Sequence, residues 1–186
     1  MMRKLIMLIL VSSFIQCTQK QDPFLISESH IGKLPKDAYT AQLDSIFKSD
    51  SLVNIAKNKK FSIAGKSYFE VYEKGGKQLL SITPNTIKDS LQSIQNIQIY
   101  DDRFTTDRGV SLKSTYGDIK KQYNIKNVMT TLKNIIINLK DSDIYFTISK
   151  EELPEELKYG NQKIDPVQIP DEARIKYMMI DLSLRK

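Results

Sequence analysis

From Tyr68 onward the apolar residues of this chain fall mostly at every second position, the period of strands that bury one face. Phe69 and Val71 alternate with Tyr68, Glu70 and Tyr72 inside a strand predicted over 61–74. Gly75-Gly76 then offers the positive φ angles of a tight turn, and Lys77 to Thr83 returns as the hairpin partner. Pro84-Asn85 breaks the chain. Ile94, Ile97 and Ile99 lead into Tyr100-Asp101-Asp102, a third strand closing in a turn. Further on, Ile135, Ile137 and Leu139 alternate with Ile136 and Asn138. After a turn at Asp141-Ser142, Ile144, Phe146 and Ile148 share the inward side of the next strand. A last run, Arg174 to Leu184, sets Lys176, Met178, Ile180, Leu182 and Leu184 on one side.

Helical spacing is confined to short stretches. Leu43, Ile46 and Phe47 recur on one face behind Thr40, a candidate N-cap, which predicts a helix over 41–49. Ser114 or Thr115 can cap a second helix carrying Ile119 and Tyr123, with Asp118 in its electropositive first turn. Ser149 and Glu152 stand three apart, the spacing of a capping box, ahead of a stretch punctuated by Pro154, Pro166 and Pro170. Several hairpins with two or three short helices predict the α+β class, a mainly antiparallel sheet with the helices packed on one face. Each of the first two helices is preceded by a glycine turn. Gly32-Lys33-Leu34 precedes Leu43 and Phe47, while Gly109-Val110-Ser111-Leu112 precedes Ile119 and Tyr123, an echo that suggests duplication.

The amino end has a different pattern. Arg3 and Lys4 precede an unbroken apolar run, Leu5 to Val11, and the stretch ends at Cys17, the only cysteine. A membrane-spanning helix needs about 20 apolar residues, so this shorter run reads as an export signal. The expected organisation is a signal peptide at 1–16, a lipidated cysteine with a flexible tether at 17–34, and a single α+β domain at 35–186. The formal charge of +6 is spread along the chain rather than gathered in a stripe, which argues against nucleic acid as a partner. One thiol allows no internal disulfide, and no cofactor is expected.

A cysteine placed just behind such a run resembles the lipobox of bacterial lipoproteins, with Phe14 and Gln16 in place of the usual Leu and small residue. Thr106-Asp107-Arg108-Gly109 together with Ser114-Thr115-Tyr116-Gly117-Asp118-Ile119 and Tyr123 is similar to a stretch in uncharacterised lipoproteins of Bacteroidetes-type bacteria. Tyr145 to Lys150 and Ile169-Pro170-Asp171 look like the same family. The resemblance implies diacylation of the Cys17 thiol, removal of residues 1–16 and attachment to a membrane, the outer membrane being expected. It brings no activity, ligand or catalytic residue. A looser, fold-level likeness is to small envelope lipoproteins of outer-membrane assembly.

Catalytic constellations are thin. Ser45-Ile46-Phe47-Lys48 matches Ser-x-x-Lys, and Lys74-Gly75-Gly76 echoes a Lys-Thr-Gly element, but no Ser-x-Asn lies between them. His30 is the only histidine and falls in the expected tether. Asp101, Asp102 and Asp107 lack the spacing of a calcium loop, and Arg103 and Arg108 would repel a cation. What remains is surface. Tyr68, Tyr72, Tyr100 and Tyr145, with Gln98 and Thr147, take the parity opposite the aliphatic residues of their strands. If those strands are neighbours, they form one wet, aromatic face. The expected role is therefore a non-catalytic binding or assembly module anchored to the envelope, its partner an envelope protein or a glycan. The alternatives are a soluble periplasmic binding or inhibitor protein, and an unrecognised hydrolase.

Overall fold

A computed structural model describes residues 22–55, 67–85, 92–160 and 162–184. The expected signal and Cys17 lie outside the described residues. The chain opens with three two-residue strands, β1 (Leu25–Ile26), β2 (His30–Ile31) and β3 (Leu34–Pro35), followed by a short helix α1 (Leu43–Ile46). Strands β4 (Ser51–Ile55), β5 (Tyr68–Tyr72), β6 (Gln78–Pro84) and β7 (Ile94–Ile99) form a meander. After β8 (Thr105–Thr106) comes the helix α2 (Tyr116–Gln122). A second meander, β9 (Ile125–Thr130), β10 (Asn134–Leu139), β11 (Ile144–Ser149) and β12 (Ile175–Asp181), then follows. A one-turn helix, α3 (Glu155–Lys158), sits in the long β11–β12 connection.

The two meanders join through their last strands into one eight-stranded sheet, ordered β4-β5-β6-β7-β12-β11-β10-β9 and antiparallel throughout. A small sheet, β3-β2-β1-β8, accompanies it. Mainly antiparallel sheet with a few short helices is the expected α+β class. Leu80, Ile82, Ile97, Ile99, Ile137, Ile144, Phe146, Met178 and Ile180 come from the large sheet and are buried. They share one core with Ile26, Ile31 and Leu34 of the small sheet and with Leu43, Phe47, Ile119 and Tyr123 of the helical segments.

The order of the large sheet is a palindrome, and the register shows why. In the first half Tyr39 bridges Ser93 and the Thr40 N–H donates to the Gln92 carbonyl. In the second half Thr115 bridges Arg174 and the Tyr116 N–H donates to the Ala173 carbonyl. The helix ends correspond too: the Phe47 N–H donates to Leu43 O (2.9 Å) and the Tyr123 N–H to Ile119 O (2.8 Å). Leu80 faces Ile99 and Ile82 faces Ile97, as Ile144 faces Ile180 and Phe146 faces Met178. Both third strands carry an irregularity at the same place, between Thr83 and Pro84 and between Thr147 and Ile148. At the centre Ile97 faces Ile180 and Ile99 faces Met178, a pairing that maps onto itself when the halves are exchanged. The repeat glimpsed at Gly32 and Gly109 thus extends over a helix and four strands, twice.

Several expectations are corrected. Residues 25–34 of the expected tether belong to the fold: Ile26, Ile31 and Leu34 are fully buried, and hydrocarbon buried to this degree holds its backbone in place. Gly32 belongs to that packing, since it has a φ of 55° and a Cβ there would meet the Pro23 carbonyl oxygen at 2.1 Å. The first helix is shorter than 41–49: Leu43–Ile46 is α-helical and follows a 3-10 turn, Thr40–Gln42, whose N-cap is Tyr39 rather than Thr40. Of the strand expected over 61–74, Tyr68–Tyr72 is present and 61–66 lie outside the described residues. In the last strand the sidedness slips by one. Thr147 pairs with Tyr177 and Ile148 with Ile175, so Lys176 is the extra residue of a bulge and is exposed while Ile175 is buried. Leu182–Leu184 leaves the strand as a 3-10 turn. Ser149 does cap, accepting from the Glu151 N–H, but the Glu152 carboxylate turns to the Arg174 N–H instead. Strands β4 and β9 were not anticipated.

Candidate functional site

One row of residues runs across all eight strands on the side of the large sheet away from its aliphatic set. Val53 faces Glu70, then Ser81, Gln98, Met179, Tyr145, Asn138 and Asn127 follow in register. The neighbouring row holds Tyr177, Thr147, Ile136 and Met129. Polar and aromatic side chains dominate because these positions alternate with the isoleucines that make the core. Tyr100, Tyr177 and Met129 are 40%, 38% and 55% exposed, large apolar surfaces left open to water.

Three of the four tyrosines expected on this face gather around Glu70. The Tyr72 hydroxyl donates to Glu70 Oε2 at 2.8 Å. That bond to a carboxylate, with burial second, raises the Tyr72 phenol above its usual pKa. Burial, then the Glu70 charge, raises Tyr68 in the same way. Tyr100 lies beside Ser81, and burial outweighs the Ser81 contact to raise it as well. All three rings stay neutral hydroxyl donors at neutral pH. Tyr145 is on the same face but lies beyond β7 and β12, half-buried, its hydroxyl accepting from Asn96 Nδ2 at 3.0 Å. Gln98 and Thr147 also take this side. Sequence reasoning missed Tyr177, although its parity opposite Met178 and Ile180 carries the signal.

The other sequence candidates are drawn into structural work. Ser45 donates its hydroxyl to the Gln42 carbonyl (2.8 Å), and Lys48 is exposed. His30 sits in β2 with Nδ1 2.9 Å from the Ser29 hydroxyl. Asp101 is buried beneath Arg103 and Lys77, and Asp102 pairs with Lys113 at 3.0 Å. Asp107 lies elsewhere. Among the described residues no group of three or more His, Cys, Asp or Glu is arranged to hold a metal ion, and no helix is long and apolar enough to cross a membrane.

Asp107 lines a polar cleft of about 550 Å³ on the core side, between the β1–β2 turn, the end of α2 and the β10–β11 turn. Its floor is an ion pair: Lys36 Nζ donates to Asp143 Oδ1 at 2.9 Å and Oδ2 at 3.0 Å, with side chains 2% and 13% exposed. Arg108 lies over the Tyr123 ring, 4.7 Å from its centroid, and donates through Nη1 to the Gln122 carbonyl at 2.7 Å. Burial raises the Tyr123 phenol, whose hydroxyl lies beside Thr106. Lys140 and Asp141 complete the rim. These groups come from four distant segments, so no local motif announces them.

The fold is similar to that in the crystal structure of the uncharacterized protein yfeY from Escherichia coli. The TM-score is 0.55 at 17% identity, over 84% of this chain and 98% of that one. At this identity the likeness is one of fold alone. No family model and no curated protein matches the sequence.

Proposed function

We propose that this chain is an exported, lipid-anchored envelope protein that binds a partner through the open face of its large sheet and performs no chemistry on it. The observation that supports this is the continuous register from Val53 to Asn127, which brings exposed Tyr100, Tyr177 and Met129 onto a surface that mixes amides and hydroxyls with Glu70 and the apolar Val53, Ile136 and Met179. Rigid aromatic rings beside satisfied polar groups suit a protein or glycan surface, because rings add contact area at small conformational cost. The helices and small sheet serve as cover for the opposite, aliphatic side. Cys17 is the proposed attachment point, and the outer membrane the proposed destination. Two or three acyl chains bury enough methylene groups, at about 0.8 kcal/mol each, to hold the protein durably.

Two measurements test the parts separately. Cys17→Ser is expected to move the protein from membrane pellets to the soluble fraction. A photo-crosslinking residue placed at Tyr100 or Tyr177 in cells is expected to capture the same partner, whereas one at Val167, 87% exposed, captures none. Equal capture from Val167, or none from Tyr100 and Tyr177, rejects the sheet-face reading while leaving the anchor standing.

A further inference from the structure

The two halves of the molecule leave openings at equivalent places, and the openings differ in chemistry. In the first half the position bounded by Phe47, Leu79 and Leu80 is a small pocket of about 140 Å³, its wall made mostly of apolar side chains such as Phe24, Ile31 and Phe104 but also of the charged Lys33, Asp50 and Glu73. In the second half the equivalent residues are Tyr123, Asp143 and Ile144, and the opening is the polar cleft of about 550 Å³. At the position of Asp143 the first half carries Leu79, so the fold itself does not require a carboxylate there, although the first-half pocket keeps an ion pair of its own between Lys33 and Asp50 at 2.7 Å. Burying a Lys–carboxylate pair such as Lys36–Asp143 in place of apolar side chains gives little or no stability.

The rim points to what the cleft takes. Asp107 and Arg108 are consecutive, as are Lys140 and Asp141, and all four line the same space. Among the described residues none of the four enters an ion pair. Arg108 is instead held by the Gln122 carbonyl and the Tyr123 ring, which fixes its guanidinium without neutralising it. Beside the Lys36–Asp143 pair, two cations (Arg108 and Lys140) and three carboxylates (Glu28, Asp107 and Asp141) line one partly enclosed space, which matches a ligand that itself carries both signs. A simple anion would face the carboxylates and a simple cation the ammonium and guanidinium, each losing water without full compensation. The volume lies within the usual range for small-molecule sites.

We propose that this cleft binds a zwitterionic amino acid or short peptide, its carboxylate toward Arg108 and Lys140 and its ammonium toward Asp107 and Asp141. This site is independent of the sheet face.

The test is an amide chemical-shift titration of the full mature chain with dialanine, beside N-acetyl-dialanine amide, which has the same backbone and no charges. Dialanine is expected to give saturable shifts at Ser27, Asp107, Arg108, Asp141 and Asp143, with the blocked peptide at least tenfold weaker. Arg108→Gln and Asp141→Asn should each weaken dialanine binding at least tenfold. Asp141 has a φ of 52°, a conformation Asn also tolerates, so that variant keeps the turn. Absent saturation, equal binding of the blocked peptide, or shifts confined to the tyrosine face would overturn the proposal. The comparison of the two peptides uses the unaltered protein and does not depend on any variant folding.

Discussion

Asp101 has a side chain with no exposed surface, yet five donor contacts converge on its two oxygens. Oδ1 accepts from the Arg103 backbone N–H at 2.9 Å, from Arg103 Nε and from Lys77 Nζ, while Oδ2 accepts from Arg103 Nε and Nη2. Arg103 also reaches Glu73, and its guanidinium lies 4.1 Å from the centre of the Phe24 ring. One residue thereby ties the β5–β6 turn, the end of β7 and the start of the fold together. Burial alone would raise the Asp101 carboxyl, but its bonds to Arg103 and Lys77 overcome this and hold it well below the usual carboxylate range. A native pKa below the unfolded value means the contribution is complete above the ordinary carboxylate pKa of 3.8 and is lost as pH falls beneath it. Asp101→Asn is expected to cost about 2 to 3 kcal/mol at pH 7, since hydrogen bonds to charged partners are worth about that much. The gap from the unaltered protein should narrow in urea titrations below pH 3.8. A gap independent of pH would refute this account.

At the level of elements, the termini of α2 show local sequence and tertiary structure agreeing. The Thr115 N–H donates to Asp118 Oδ2 at 3.0 Å, and Thr115 Oγ1 accepts from the Asp118 N–H at 3.4 Å. The bond from the Thr115 backbone N–H lowers the Asp118 carboxyl, so the cap persists as a charge-assisted pair at neutral pH. Thr115→Ala should lower stability by about 1 kcal/mol in urea unfolding, the ordinary cost of a lost N-cap. Such signals were legible, as were β5, β6, β7, β10 and β11, although only β10 keeps a strict alternation of buried and half-buried positions. Strands β4 and β9 were not, for a physical reason. They are the two edges of the sheet, so Val53, Lys126 and Met129 meet solvent and selection for alternation is weak there. The bulge at Lys176 hid the sidedness of Ile175 for a different cause, since one inserted residue reverses parity. The tyrosines needed only parity plus adjacency, and parity alone was visible. The cleft needed adjacency of four segments, which no periodicity encodes.

Across the whole molecule, the central β7–β12 pair is where the halves become one body. Ile97, Ile99, Met178 and Ile180 are each at most 1% exposed and lie in a single core with side chains of both halves. Ile97→Ala should cost about 2 to 5 kcal/mol, as for other buried aliphatic truncations. The loss should be felt equally in both halves. Fluorescent reporters placed near Tyr68 and near Tyr145 are expected to melt together in the unaltered protein and in the variant. Separate transitions would mean that each meander holds its own core. The mirrored register also has an ancestral consequence. Two free copies of a half-length polypeptide, each laying its final strand against the other's about a dyad, would assemble the same platform. Covalent fusion makes that meeting unimolecular, and it releases one copy from the sameness that symmetry imposes. Leu79 and Asp143 record how far such a released copy can drift without losing its architecture.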